Sequence, residues 1–508
     1  MTHHDSNIRF EAIVTTQVGV GAKSGYTEEM GKKPNLLETA TRETLMGLIQ
    51  SQAQQIRLLT EQVVRLEKEM EKLERRLAKN STNSSKPPSS DGLSQPKVRP
   101  KSQREKGKRK SGGQPCHKGS TLEVVAVPDE RVRHRLDACP HCQQDLRQVE
   151  TQRVVKRQVF DIPPIALQVR EHQAEVKGCP CCGKTSHAVF PEGVNAPTQY
   201  GPNVLAQAVY LNTYQLIPLA RVREWFADCV GITMSEGTIQ RAVGVFCDKI
   251  GVSLDEIYRR LTESRVVHLD ETGFRVDGML AWLHTVCTKH LSYYTVHVSR
   301  GDDAIMDAGV LPNCSGFAVH DGLPQYMRYE MVEHTLCNAH HLRELQLFVD
   351  EYDADWALEL QWVLRKMKAA SEASDTSAET VRQLETRYDF WVAKGLKAFP
   401  IQPRPPNFKG RHEQHPATNL LLRLRDNRAA VLAFLHHEQV PFDNNLAEPD
   451  LRMMKVKQKI SGGFRTWHGA ECFAAVRSYL MTARKHGLSM LRATEMALSG
   501  VPFIPTPE

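Results

Sequence analysis

The sequence predicts an α/β protein in which a mixed β-sheet is interrupted by an all-helical insertion and preceded by a coiled coil and a small β module. Three observations carry this prediction. Apolar runs of strand length lie between residues 265 and 321, followed by helical periodicity over residues 345–440. Upstream, apolar side chains repeat in heptads over residues 49–77. Two Cys-x-x-Cys pairs follow within residues 139–182.

The composition is that of a globular protein with several domains. The chain has 508 residues, 41% of them hydrophobic and 25% charged, which suits roughly two to four domains. No stretch approaches eighteen consecutive apolar residues, and the first thirty residues lack a basic start followed by an apolar run. We therefore expect no membrane span, no secretory signal and a cytoplasmic location. The twelve cysteines then indicate thiols and metal sites rather than a disulfide framework.

The N-terminal region begins with an arm and a heptad segment. Residues 1–40 have no period and predict a disordered arm. In residues 41–80, apolar residues recur at alternating steps of three and four, which predicts a coiled coil and hence a homo-oligomer. The alternative is an amphipathic helix packed on its own domain. The seam consists of Ile49, Ile56, Leu59, Val63, Leu66, Met70, Leu73 and Leu77.

Residues 81–120 predict a Ser/Pro-rich and basic linker. Pro87 and Pro88, in "NSTNSSKPPSSDG", cannot continue the preceding helix. Residues 97–118 carry nine Lys and Arg against one Glu, so this segment accounts for the net charge of +7 on the whole chain. That density of cations favours contact with nucleic-acid phosphates, and the alternative is a solvated tether. The candidate DNA-binding residues here are Lys106, Lys108, Arg109 and Lys110.

Residues 121–195 predict a zinc-binding β module. Each of the pairs "CPHC" and "CPCC" can present two thiolates to one tetrahedral ion, which indicates structural Zn²⁺; a redox pair is the alternative. The sequence around Pro163 and Pro164 predicts a hairpin of two strands that brings the pairs together. The predicted ligands are Cys139, Cys142, Cys179 and Cys182, with Cys181 as a substitute for Cys179 and with Cys116 and His187 as weaker candidates.

Residues 196–260 predict helices. An apolar helix in "LARVREWFADCVG" ends at Gly231, and Ser235 has the position of an N-cap for a second helix. This outline fits a helix-turn-helix and a plain helical hairpin equally well.

Two acids follow apolar runs in residues 261–344. "RVVHLDETGF" places Asp270 after one run, and "GFAVHDG" places Asp321 after another. With β-rich runs at 281–288 and 291–298, they predict four strands, of which the first and the fourth end in Asp. If these two strands are neighbours, the carboxylates lie a few ångströms apart and need a cation. Mg²⁺ or Mn²⁺ suits such oxygen ligands.

A third acid is predicted in residues 441–508, within "PFDNNLAEPDLRMMKVKQKISGGFRTWHG". Asn445 and Glu448 have the spacing of an N-cap and the third helical residue, which predicts Glu448 in the first turn of a helix. Three acids can hold two metal ions, about 3.5 to 4 Å apart, for phosphodiester displacement. The cations that follow predict phosphate binding, with a solvated face as the alternative; they are Arg452, Lys455, Lys457 and Lys459.

Each acid also has a purely structural interpretation. Asp270 fits a strand cap, Asp321 fits a turn residue before glycine, and Glu448 fits a helix-capping acid. Glu271 is adjacent to Asp270, and the alternation of a strand turns it to the opposite face of the sheet. We therefore expect Glu271 to position its neighbours rather than to bind metal.

From about residue 45 onward the chain resembles the insertion sequence 66 family of DDE transposases. The resemblance rests on "NSSKPPSSDG", "GGQPCHKG", "CPHC", "CPCC", "LDETGF", "HDG" and "NNLAEPDLRMMKVKQKISGGFRT". It implies a ribonuclease-H-like catalytic core that the helical insertion at 345–440 interrupts. It also places the family's acidic triad on Asp270, Asp321 and Glu448.

The resemblance implies a bacterial DNA transposase of an insertion sequence, associated with the nucleoid. Such an enzyme uses two Mg²⁺ or Mn²⁺ ions to hydrolyse phosphodiesters at the element ends, and it then transfers the freed 3′-hydroxyl into target DNA. Its partners are DNA, a second protomer and accessory proteins of the same element. The alternatives are a catalytically impaired, zinc-containing DNA-binding protein, and a ribonuclease-H-like nuclease without strand transfer.

Two positions depart from the family pattern. Glu448-Pro449 stands where relatives usually have Glu-Arg, and a Pro at the predicted fourth helical position should cost stability and tilt Glu448. This feature is the main support for an impaired enzyme. Cys116 stands in the linker where Gly is usual. The family also has a Cys-x-x-His after its second acid, here Cys337 and His340, for which we expect a structural role.

Overall fold

The heptad segment forms one continuous helix, α1, Arg42–Ala78. At 1.5 Å per residue it is about 55 Å long. Its described seam residues are exposed, which leaves an apolar stripe along the helix: Ile49, Ile56, Leu59, Val63, Leu66, Met70 and Leu73.

The computed structural model describes residues 41–78, 122–373, 376–406, 409–410 and 412–506. The predicted arm and the basic linker lie outside the described residues, and so do the linker's candidate residues Lys106, Lys108, Arg109, Lys110 and Cys116. Within the described ranges, no helix combines the length and the hydropathy that crossing a membrane requires.

Residues 122–195 have little regular secondary structure. Two short antiparallel strands, β1 Val176–Gly178 and β2 Thr185–His187, flank the second Cys pair. The hairpin predicted around Pro163 and Pro164 is wrong, because residues 151–175 form no strand. The apolar side chains of that segment are exposed, and two strands without an apolar face to bury are at best marginally stable in water.

Four helices precede the large sheet. The predicted break is present: Gly231 has φ 74° at the end of one helix, and the Ser235 hydroxyl accepts a hydrogen bond from the Thr238 amide at the start of the next. The first of these helices continues as a wider π turn, Tyr210–Tyr214. The helices are α2 Pro202–Val209, α3 Leu219–Val230, α4 Glu236–Lys249 and α5 Gly251–Thr262.

A five-stranded mixed sheet follows, in the order β5-β4-β3-β6-β7. The strands β3, β4 and β5 form the predicted antiparallel meander, and β6 and β7 continue the sheet in parallel. A short helix, α6 Asp302–Ala308, connects β5 to β6. The strands are β3 Val266–Val276, β4 Met279–Cys287, β5 Ser292–His297, β6 Phe317–His320 and β7 Glu333–Leu336.

The segment between β7 and Glu448 is mostly helical. Its helices share a hydrophobic core, which includes Trp356, Leu364, Tyr388 and Leu421 and extends to Phe317 and Leu336 of the sheet. Three more helices then return the chain to the sheet. The eight helices are α7 Asn338–Tyr352, α8 Asp355–Ser371, α9 Ala378–Ala398, α10 Pro416–Asp426, α11 Arg428–His436, α12 Ala447–Ser461, α13 Trp467–Lys485 and α14 Met490–Leu498.

The two faces of the sheet are covered by different helices. Val267 and Leu269 of β3 pack in one core with residues of α5 and α6. Phe274 and Val276 of the same strand pack in another core with residues of α12 and α13. Because successive side chains of a strand alternate between faces, Asp270 belongs to the α12 side of the sheet and Glu271 to the α5 side.

Candidate active site

Asp270 lies in the middle of β3, so the predicted strand end at Asp270 is wrong. β4 pairs with β3 along residues 268–276 and carries the strand on to Val276. On the other side, β6 pairs only with Val266–His268. Asp270 therefore lies two residues beyond the last β3 residue that pairs with β6, while its backbone still pairs with β4.

Asp321 directly follows β6, as predicted. The parallel register pairs His268 with Val319. Continued by two positions, the same register brings Asp270 opposite Asp321 and on the same face of the sheet. The Asp321 carboxylate accepts a hydrogen bond of 3.1 Å from the Leu323 amide in the turn. The two aspartates thus belong to neighbouring strands at one point of the sheet.

Glu448 lies in the first turn of α12, as predicted, but the predicted N-cap is wrong. The helix begins at Ala447 with Leu446 as N-cap, because the Ala447 amide already donates to the Asn444 carbonyl in the preceding turn. Pro449 is therefore the third helical residue and not the fourth. Since the first four amides of a helix have no intrahelical acceptor, Pro449 removes no hydrogen bond from α12.

The three acids share an electrostatic environment. Burial raises the pKa of Asp270 well above its usual value, and the carboxylates of Glu271, Asp321 and Glu448 raise it further. Carboxylates are thus concentrated around Asp270. Among the described residues, however, no three His, Cys, Asp or Glu side chains lie close enough together to hold a metal ion. Glu448 is instead paired with Arg343, at 3.0 Å between Oε1 and Nη2.

Glu271 is held on the opposite face, where its side chain is only 1% exposed. Arg300 donates to Oε1 from Nε and Nη2, at 2.9 and 2.6 Å, and the Tyr326 hydroxyl donates to Oε2 at 2.7 Å. The Glu271 amide donates to the Asp270 carboxylate at 2.9 Å. Glu271 therefore fixes the strand beside Asp270, and neither Arg300 nor Tyr326 could be identified from the sequence pattern.

Asn444 links the segment just before Glu448 to β3, the strand that carries Asp270. Its side chain donates to the Leu269 carbonyl and contacts His268 Nδ1, both at 2.8 Å. The backbone amide of Asn444 donates to Cys337 Sγ at 3.1 Å. This buried asparagine fixes the start of α12 relative to β3 and α7. The sequence shows a pair of Asn residues before Glu448 and predicts a role for Asn445. The structure gives these contacts to Asn444 instead.

Helix α7 borders the acids. Cys337 is buried and packs as expected of a structural residue. His340 has a buried Nδ1 atom that lacks a hydrogen-bond partner in the described part of the chain. Burial and the neighbouring Arg343 lower the pKa of His340, whereas Asp321 and Glu448 act in the opposite sense. His340 and Arg343, one helical turn apart, therefore lie beside the second and third acids.

The cations after Glu448 have different environments. Arg452 and Lys459 are exposed. Lys455 Nζ donates to the Gly273 carbonyl of β3 at 2.6 Å, and Lys457 Nζ lies 5.7 Å from the centre of the Phe464 ring. Burial lowers the pKa of both lysines. Arg452 and Lys459 are therefore the members of this row that are free to meet a phosphate at little desolvation cost.

The two Cys pairs form equivalent turns. The amides of Cys139 and Cys179 each donate to the carbonyl five residues on, and each cysteine's own carbonyl accepts from the amide four residues on. That fourth residue has positive φ in both turns, 63° at Gln143 and 70° at Gly183. By this equivalence Cys179 corresponds to Cys139, and Cys182 to Cys142. Cys181 corresponds to the non-ligand position between them.

Backbone amides turned toward the sulfurs lower the pKa of Cys139 and Cys179. Zinc binds the thiolate, so a cysteine with a lowered pKa is the better ligand. The structure brings together the two members of each pair, but it does not gather the four cysteines into one cluster. The turns themselves are thus suited to Zn²⁺.

Comparison with protein families identifies the chain. The Transposase IS66 family matches residues 197–472, more than half of the sequence. The chain belongs to the IS66 transposase family. The zinc-finger binding domain of transposase IS66 matches residues 136–183 of this transposase, and a family of unknown function matches residues 39–123. A search of curated proteins found no match.

The zinc-finger match covers both turns of the transposase and supports zinc binding by this segment. We expect wild-type protein to contain one zinc ion per chain. Replacing Cys179→Ser should abolish the bound zinc, because three thiolates hold the ion far less tightly than four. Cys181→Ser should retain it, since Cys181 lies between the ligand positions. Elemental analysis of the purified variants checks this, and loss of zinc from Cys181→Ser alone would reverse the ligand assignment.

Proposed function

We propose that this transposase cuts phosphodiester bonds at the ends of its element and joins the freed 3′-hydroxyl to target DNA. The observation that supports the proposal is that Asp270 and Asp321 each lie two residues beyond the last residues that pair β3 with β6, while Glu448, in the first turn of α12, is near enough for its charge to raise the pKa of Asp270. The mixed sheet with its helical insertion supports a ribonuclease-H-like core. An acid cluster of this kind has no evident use in packing.

The donor set fits Mg²⁺ or Mn²⁺. It offers carboxylate oxygens, which hard divalent ions prefer. Burial, and after it the charges of the neighbouring carboxylates, raise the pKa of Asp270, and a bound cation would favour its ionised form. Paired divalent ions supply activation of the attacking oxygen and stabilisation of the leaving oxygen when they are bound.

The protein side chains have distinct roles in this proposal. Asp270 and Asp321, at neighbouring positions of β3 and the end of β6, would hold one ion. Glu448, in the first turn of α12, would hold the second. Glu271 keeps β3 in place through Arg300 and Tyr326, and Asn444 keeps Glu448 within reach of the strand. Arg452 and Lys459 bind DNA phosphates, with support from Lys455 and Lys457.

The remaining segments hold the DNA and pair the protomers. The zinc module and the basic linker, with Lys106, Lys108, Arg109 and Lys110, bind the element ends on the bacterial nucleoid. The exposed stripe of α1 supports pairing with a second protomer, so that two ends are processed together. Accessory proteins of the same element complete the machinery.

The test is a supercoiled plasmid that carries the element ends, incubated with the full-length protein and Mn²⁺ or Mg²⁺. We expect nicking at the ends and joined products in which end DNA is linked to target DNA. Nicking without joined products would support a ribonuclease-H-like nuclease. An uncut plasmid with retained binding of end DNA would support a DNA-binding protein without catalysis. Pro449 lies in the first turn, where it removes no intrahelical hydrogen bond, so that part of the argument for this last outcome is weakened.

A further inference from the structure

Arg343 occupies a special position beside the acids, and its role extends the proposed function. It lies on α7 and donates to Glu448 Oε1 from Nη2 at 3.0 Å, while its Nε donates to the Ala339 carbonyl at 3.3 Å. The exposed fractions of the two side chains are 23% and 25%. A guanidinium and a carboxylate that are mostly removed from water interact more strongly than a surface pair.

The charges of the site explain why this contact forms. Glu271 is compensated by Arg300, and Glu448 by Arg343. Asp270 and Asp321 lack such a cation in the described contacts. Burial raises the pKa of Asp270, and the charges of Glu271, Asp321 and Glu448 raise it further. Arg343 therefore neutralises the third acid in the arrangement seen here. The same contact occupies Oε1 of Glu448, so a cation bound at that oxygen would compete with the guanidinium.

We propose that Arg343 is a positioning residue that exchanges partners: it binds Glu448 in the metal-free protein and a DNA phosphate once Glu448 binds metal. Arg343 would separate from Glu448 when that carboxylate holds a divalent ion, because the two cations would repel each other. The planar fork of Arg suits two oxygens of one phosphate, which a Lys ammonium matches less well. Because the Arg343 side chain already reaches Glu448, it needs only a side-chain movement to meet a phosphate bound at the acids.

The test combines metal affinity with cleavage. Mn²⁺ is titrated into the full-length protein without DNA, followed by calorimetry, and nicking of the end-carrying plasmid is measured in parallel. Arg343→Gln should bind Mn²⁺ about fivefold to tenfold more tightly than wild type, because Glu448 no longer has a competing partner. The same variant should nick DNA at least about tenfold more slowly, because the phosphate contact is lost. A merely structural role would not improve metal binding.

Two further variants make the result decisive. Arg343→Lys keeps the charge and should bind Mn²⁺ about as wild type does. Its nicking should nevertheless be as slow as that of Arg343→Gln, because an ammonium group cannot bind two phosphate oxygens as a planar guanidinium does. The matched control is Arg423→Gln, which breaks the pair of Arg423 with Glu344, the next residue of α7; that pair has a distance of 2.5 Å and exposed fractions of 29% and 28%. Arg423→Gln should leave Mn²⁺ affinity unchanged.

The outcomes separate this inference from the proposed function. If wild type binds Mn²⁺ and nicks DNA but Arg343→Gln has unchanged or weaker Mn²⁺ affinity, the exchange of partners is overturned and the proposed function stands. If Arg343→Gln is poorly folded by circular dichroism, Arg343→Lys decides: wild-type nicking by that variant overturns the phosphate contact. If wild type neither binds Mn²⁺ nor nicks DNA, both proposals are overturned.

Discussion

Asp270→Asn is expected to abolish metal-dependent cleavage while DNA binding survives. The substitution keeps the shape of the side chain but removes the charge of the acid whose pKa both Asp321 and Glu448 raise. Loss of a proposed metal ligand should slow nicking at least about a thousandfold, equivalent to about 4 kcal/mol in the transition state. Plasmid nicking in Mn²⁺ and gel-shift binding of end DNA measure the two effects separately.

The stability of Asp270→Asn distinguishes a catalytic effect from misfolding. Burial and three neighbouring carboxylates disfavour the charged form of Asp270, so a neutral amide should unfold at the same temperature or higher. The matched control is Asp277→Asn in the exposed turn after β3, where φ is 49° and Asn is tolerated. That control should cut at the wild-type rate. Cleavage by Asp270→Asn at the wild-type rate would remove the acid from the mechanism.

The sequence was informative wherever local chemistry decides the structure. Apolar runs located the strands around Asp270 and Asp321, and the alternation within a strand assigned Glu271 to the opposite face. Ser235 and Gly231 marked helix ends, because caps and positive φ depend on a few adjacent residues. The two Cys-x-x-Cys turns are similarly local. These features required no knowledge of distant contacts.

Contacts between residues that are distant in sequence could not be predicted from the periodicity of the sequence. Arg343 and Glu448 are 105 residues apart, and His268 and Asn444 are 176 apart. Strand ends also depend on the neighbouring strands: β3 continues past Asp270 because β4 pairs with it, which no local pattern encodes. The expected hairpin around Pro163 had strand-like residues but no apolar surface to cover. Long-range packing, and not residue preference, decided all of these features.

Gly316→Ala is expected to be the most destabilising small substitution near the site. A Cβ at Gly316 would lie 2.3 Å from the Arg265 carbonyl oxygen and 2.8 Å from its carbon, and both are backbone atoms. Phe317 donates to that same carbonyl at 2.7 Å where β6 joins β3. The strands must separate to admit the methyl group, at a cost of about 3 kcal/mol. A fall in melting temperature of roughly 6 to 12 °C should follow.

The function should suffer with the stability, because the register of β6 on β3 is what brings Asp321 opposite Asp270. Nicking by Gly316→Ala should therefore fall even at temperatures where the variant is folded. The control is Gly244→Ala in α4, where a Cβ meets no atom within 4 Å; it should stabilise the helix by up to about 1 kcal/mol and leave nicking unchanged. Full nicking by folded Gly316→Ala would mean that the spacing of the two aspartates does not depend on this close approach of strands.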